Sequence, residues 1–290
     1  MENPESGREY FGHGLPRRRD DRTYEKFLRK EVGEILKGNI RDQRNWGIYD
    51  SALDCPQKEG TPYAQSFSSL MEHGGSPKVS LKEYIEDLLR GREGQAIGID
   101  FGGLGSRVFR GFDKGFFRQT LGITLGDGRG ESEKEIDKEN RHDVIGGNMF
   151  DPIIRRRIKE WLDGQKADLI FERMEGGLDC VNHDIRFVRE VLKQIYSILR
   201  EGGVALIQQY WYLYEDSGAS AKQLYSWAEE INKEYEGRIE ITLDPQSISD
   251  DRVKYGRGAI MIRKFKGAPK QLPLTELLRK PEKVSAEKSS

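Results

Sequence analysis

The 290-residue chain predicts an α/β fold, a mostly parallel central sheet with helices on both faces and an antiparallel pair at one edge. Three observations carry that reading. Short apolar runs alternate with amphipathic helical stretches, which is the pattern of βαβ units. Parallel strands need a crossover connection, and the intervening stretches are long enough to supply one. One run, from Ala96 to Asp100, opens onto Gly102, Gly103 and Gly105, where the backbone has to turn tightly and leave room for something else.

Composition narrows the class. Lys plus Arg (48) nearly cancels Asp plus Glu (49), so no overall field drives the chain onto nucleic acid or an anionic membrane. Cys55 and Cys180 are too few for a disulfide framework or a zinc site, and no signal peptide or 18-residue apolar run is present. A soluble protein of a reducing, cytoplasmic compartment is expected, with no membrane partner and no metal. Four segments follow: a disordered N-terminus (1–21), an N-terminal helical and irregular extension (22–79), an α/β domain (80–266) and a disordered tail (267–290) rich in Lys, Pro, Ser and Glu.

The elements follow in order. Arg17, Arg18 and Arg19 read as a solvated basic run. Tyr24, Phe27, Leu28, Val32, Ile35 and Leu36 have helical spacing, closed by Gly38. Residues 39–77 hold Trp46, Tyr49, Tyr63 and Phe67 without clear periodicity and read as irregular packing. Ser80 and Glu83 form a capping box for a helix whose stripe is Leu81, Tyr84, Ile85, Leu88 and Leu89. After the glycine turn, residues 120–125 form a second strand, with Asp127 in the turn beyond it, and 131–140 read as a charged loop. Val144 and Ile145 mark a third strand ending at Gly146, Gly147 and Asn148. Asp151 and Pro152 start a helix with Ile153, Ile154, Ile158, Trp161 and Leu162 on its buried face. Its run Arg155 to Arg157 reads first as a solvated helix face, although nucleic acid can meet such a face. Residues 168–171 form a fourth strand, 184–200 a helix, Gly202 and Gly203 its end, and 204–211 a fifth strand. A helix over 219–235 precedes two late strands, 239–243 and 258–265.

Asp100, Asp127, Asn148, Glu172 and Arg173 all fall at carboxyl ends of these strands, where open α/β sheets collect ligands. The stretch IGIDFGGLGS resembles the cofactor turn of class I S-adenosylmethionine-dependent methyltransferases, with Asp100, Gly102, Gly103 and Gly105 on the motif and Leu104 as a departure from its spacing. Residues 196–207 resemble the family's helix, glycine turn and fifth strand, 167–177 its fourth strand and the loop facing the methyl group, and 144–149 the segment beside the adenine. The resemblance implies a Rossmann-like methyltransferase fold over 80–266 that binds S-adenosylmethionine. It further implies cofactor contacts at Asp100, Gly102, Gly103, Gly105, Asp127, Asn148, Met149 and Glu172, with Arg173, Glu175, Tyr210 and Trp211 facing an O or N methyl acceptor. Thr124 stands where the family's ribose-binding acid is expected, and Asp127 follows three residues later.

Two other readings remain open at this point. One is a degenerate methyltransferase-like module that binds a partner and catalyses nothing, on the strength of Leu104, Thr124 and Asn148. The other is an ATP site of the actin and sugar-kinase type, which the IGIDFGG stretch also resembles and which requires a hairpin after the turn.

Overall fold

The computed structural model describes residues 52–54, 63–73, 80–124, 126–173, 185–212, 217–243 and 255–274. The expected helix over 22–36 and the Arg17 to Arg19 run lie outside them. The described elements are α1 (Tyr63–His73), α2 (Leu81–Leu88), β1 (Ala96–Phe101), α3 (Ser106–Arg110), β2 (Phe117–Thr124), α4 (Glu131–Glu139), β3 (His142–Gly146) and α5 (Pro152–Leu162). They continue with β4 (Ala167–Glu172), α6 (Ile185–Ile198), β5 (Leu199–Tyr212), α7 (Ser217–Glu234), β6 (Ile239–Leu243) and β7 (Tyr255–Lys264).

The seven strands form one sheet in the order β3-β2-β1-β4-β5-β7-β6. All neighbours are parallel except β7, which runs antiparallel to both β5 and β6. Because β1 and β2 pair in parallel, no hairpin follows the glycine turn, and the sugar-kinase reading loses the feature it requires. Side chains alternate across each strand. Ile97, Ile99 and Phe101 of β1 join Ile154, Ile158, Leu192 and Trp227 in one core, while Ala96 shares the other with Tyr63, Phe67, Leu81, Val108 and Phe171.

Two segments read as irregular are helices. In α1, Tyr63, Phe67 and Leu70 are buried at spacings of four and three, so the aromatics do share a helical face. In α4 the Glu133 carboxylate reaches back to the Gly130 amide (2.9 Å), and the residue it buries is Asp137 rather than an apolar one. No apolar periodicity announces such a helix. The helix expected to run to Arg200 stops at Ile198, and β5 starts at Leu199 with Gly202 and Gly203 inside it. Gly203 admits no Cβ there, since one would lie 3.0 Å from the Asp168 carbonyl and 2.9 Å from Leu199. On α5, Ile153 is 63% exposed and leaves the buried face to Ile154, Ile158 and Leu162.

Residues 268–274, assigned by composition to the tail, pack on the helical layer. The Tyr196 hydroxyl donates to the Pro269 carbonyl (2.9 Å), and the Trp227 indole N–H to that of Pro273 (3.0 Å). Leu272 is buried in the same core. Among the described residues no helix is long and apolar enough to cross a membrane.

Candidate functional site

The sheet register brings the strand ends level. Phe101 lies opposite Ile123 and Glu172, Thr124 opposite Gly146, and Glu172 opposite Ile207. The chain leaves β1 toward β2 on one side, whereas β4 pairs on the other, so the strand order switches at these carboxyl ends, the place where open α/β sheets hold their ligands.

The turn after β1 is shaped by what glycine lacks. Gly102 has φ of 91°, and a Cβ there would run into the Arg173 carbonyl. Its amide donates to the Ile123 carbonyl (2.9 Å), while the Arg173 amide donates to that of Phe101 (3.1 Å). The turn then folds back over the sheet. Gly122 of β2 carries the Leu104 carbonyl where a Cβ would stand, and Gly98 of β1 carries the Phe109 ring. His142 pins this arrangement: its Nε2–H donates to the Leu104 carbonyl (2.8 Å), and its Nδ1 accepts from the Thr120 hydroxyl (2.8 Å). A carbonyl only accepts, which assigns the proton to Nε2. Burial pushes the imidazole pKa below its ordinary value, against the opposing pull of Asp137, so the ring is neutral.

Asp100 is fully buried and accepts a hydrogen bond from the Tyr63 hydroxyl (2.7 Å). Its carboxylate lies where a side chain on Gly103 would have to go. Tyr63 packs edge-on to Phe171 (4.9 Å between centroids), and the Arg173 guanidinium sits over its ring (4.3 Å). Arg173 Nε also donates to Gln208 Oε1 (3.3 Å), and Glu172 and Gln208 are buried beside it on β4 and β5. One helix of the N-terminal extension and three strands thus meet in a buried polar group.

On the β2 side, residues 126–130 carry Asp127 past the strand end. Both its oxygens take bonds from the Arg129 fork (Nε 2.9 Å, Nη2 2.8 Å), with the Arg129 amide on Oδ1 (3.2 Å). The Arg129 hydrogen bonds hold the Asp127 carboxyl below its usual range, and Asp127 in turn raises Arg129. Arg129 Nη1 reaches Asp137 of α4 (2.8 Å), and Asp137 accepts the Ser106 hydroxyl (2.6 Å). At the end of β3, Asn148 Oδ1 accepts from the Phe150 amide (2.9 Å), and the buried Met149 presents its carbonyl to Gln194 Nε2 (2.8 Å).

Asp100, Gly102, Gly103, Gly105, Glu172 and Arg173 therefore come together around β1 and β4, with Asp127 and Asn148 at the neighbouring ends of β2 and β3. Met149 points its carbonyl into the fold. Glu175 lies outside the described residues. Tyr210 and Trp211 lie within β5, as the strand over 204–211 implies, paired with Arg257 and Gly256 of β7. Sequence reasoning missed Ser106, Thr120, Arg129, Asp137 and Gln208; it reads Tyr63 as irregular packing and His142, which is buried at the start of β3, as an ordinary loop histidine. Gly98 and Gly122 carried a signal, because glycine inside a strand marks close approach of another backbone. The polar residues carried none, since their partners are distant in sequence.

The end of β2 leaves room for a polar ligand: Gly126 faces open space and Asp127 keeps 29% of its side chain exposed, whereas the side-chain positions of Gly102 and Gly103 are filled by the Arg173 carbonyl and the Asp100 carboxylate.

No family model matches the sequence, and neither does any curated protein. Solved structures resemble the chain at low similarity. An rRNA methylase from Streptococcus thermophilus is 11% identical with a TM-score of 0.39, the match covering 66% of this chain and 99% of that one. The MycE methyltransferase of the mycinamycin biosynthetic pathway, in complex with Mg and SAH, is 18% identical with a TM-score of 0.42 over 70% of this chain and 56% of that one. Cofactor-bound Rv0187 from MTB is 12% identical with a TM-score of 0.37 over 87% and 100%. With β7 antiparallel between β5 and β6 in an otherwise parallel sheet, the chain has the Rossmann-like methyltransferase fold.

Proposed function

We propose that this chain is an S-adenosylmethionine-dependent methyltransferase acting on an O or N nucleophile. The observation that carries the reading is the turn after β1 at the strand-order switch, with the buried Asp100 at its base and the partly exposed Asp127 past the adjoining strand end. The cofactor, when bound, supplies an electrophilic methyl on a sulfonium.

What the chain supplies is binding and alignment. Gly102 and Gly103 let the turn close onto the Arg173 carbonyl and the Asp100 carboxylate, which fixes the backbone that faces the ligand. Asp100 lends negative charge beside the turn, Asp127 accepts from ribose hydroxyls, and Asn148 and Met149 flank the base. Glu172 serves the cofactor and Arg173 the acceptor. Orientation at close approach is worth up to ~7–11 kcal/mol for an in-line displacement, so no group on the chain has to form a covalent intermediate.

Calorimetric titration with S-adenosylhomocysteine, beside ATP with magnesium, tests this. Micromolar binding of the homocysteine compound alone is expected, and it should vanish in Gly103→Val, whose side chain displaces the Asp100 carboxylate. Absence of binding by both the cofactor and its demethylated product overturns the reading. The second reading, a module that binds and does not catalyse, is favoured by the Tyr63 hydroxyl on Asp100 and the Arg129 fork on Asp127, both of which engage the acids internally. Retained binding without turnover across an acceptor library would select it.

A further inference from the structure

Thr124 ends β2 where an acid would serve a ribose, and the chain places its acid on a loop instead. A loop carboxylate needs something to hold it. We infer that Arg129 and Asp137 are positioning residues: together they hold Asp127 at the carboxyl ends of the strands and tie it to the glycine turn through Ser106. This rests on the cofactor reading above for the ligand that Asp127 meets.

The geometry forms one unbroken chain. Ser106, the first residue of α3 and next to Gly105, donates to Asp137 Oδ2 at 2.6 Å. Arg129 Nη1 donates to that same oxygen at 2.8 Å, and the other edge of the guanidinium grips both oxygens of Asp127. Burial is graded along it: the Asp137 side chain is 1% exposed, that of Arg129 9%, and that of Asp127 29%. The inner acid is sealed, the arginine is a bridge, and the outer acid alone faces solvent. Each carboxylate oxygen has two lone pairs; Oδ1 of Asp127 spends both on the Arg129 Nε and amide, and Oδ2, which takes only Nη2, keeps one for a ligand hydroxyl. The Gly126 position is open, and the Asp127 amide lies only 3.8 Å from where a Cβ on Gly146 would be, so the loop lies beside the end of β3. Turn, loop and strand end move as one body when Arg129 and Asp137 are in place. Only arginine spans both acids; lysine is a single point charge without a fork.

The test has a ligand-free arm and a ligand arm on the full chain. Without ligand, amide hydrogen exchange of residues 102–106 should quicken in Asp137→Asn and in Arg129→Met, and Arg129→Lys should restore little of the protection. Unchanged exchange in both variants overturns the coupling, whatever the protein binds. With S-adenosylhomocysteine, Arg129→Met should weaken binding about tenfold, and the Arg129→Met/Asp127→Asn pair no more than Asp127→Asn alone. Additive losses would mean that Arg129 does not act through Asp127. S-(2′,3′-dideoxyadenosyl)homocysteine, which lacks both ribose hydroxyls, should bind the wild type and Asp127→Asn alike, and a loss in Asp127→Asn with this ligand would overturn the ribose assignment. If the wild type binds neither compound, the cofactor reading fails and takes the ribose role with it, while the exchange arm still decides the relay.

Discussion

Tyr63 and His142 show how single side chains hold a site from outside its motif. Tyr63 comes from the N-terminal extension, yet its hydroxyl is the donor for the buried Asp100 carboxylate and its ring the platform for Arg173. Tyr63→Phe removes the donor to a fully buried carboxyl, so a loss of about 1–3 kcal/mol in urea unfolding is expected, with weaker S-adenosylhomocysteine binding. Phe67→Leu on the same helix should lower stability without that loss of binding. His142 gives a pH dependence whose sign follows from its burial. Its folded pKa lies below the ordinary 6.5, so the unfolded chain takes up the proton first as pH falls. Stability is complete above about 6.5, declines below it, and levels off beneath the folded value. His142→Asn, which lacks this titration, should flatten the midpoint temperature against pH between about 7.5 and 5.

At the scale of elements, the glycine turn works because β2 yields to it. α3 has only five residues and its N-cap is Gly105, which offers no capping side chain, so the helix is held from outside by Ser106 on Asp137 and by Val108 and Phe109 in the core. Gly122 makes the floor, because the Leu104 carbonyl occupies the space of its Cβ. Gly122→Ala should cost about 3 kcal/mol or more, since backbone rather than a flexible side chain would have to move. Denaturant titration checks the magnitude, and loss of ligand binding in the surviving folded fraction checks that the turn is what moved.

At the scale of the whole molecule, the sheet separates support from chemistry. At the end of the sheet opposite the glycine turn, the buried Asp168 accepts from the Ile97 amide (2.8 Å), Arg92 (3.0 Å) and Arg200 (2.7 Å) and locks β4 beside β1. A buried acid with three donors is stable there and has no route to a ligand. The segment after β7 completes the other face of the fold, lying across α6 and α7 through Tyr196, Trp227 and Leu272. Leu272 is only 6% exposed, so Leu272→Ala should cost about 2–4 kcal/mol in thermal or chemical unfolding, whereas a tail residue would cost nothing measurable.

The strand and helix alternation, the turn at Gly102 to Gly105, the capping box at Ser80 and the N-cap at Asp151 were legible in the sequence, because each depends on residues within a few positions of one another. The order of strands and the level register of their ends follow from those elements only through packing. What tertiary structure alone decided is which polar residues meet. Tyr63 finds Asp100 at a separation of 37 residues, His142 finds Leu104 at 38, and Asp137 finds Ser106 at 31. Helix α4 and the packed segment after β7 were missed for the same reason: their order comes from one buried carboxylate and from carbonyls that accept from distant aromatic side chains. Local periodicity records what a residue's neighbours bury, and a hydrogen bond across the sheet leaves no mark in it.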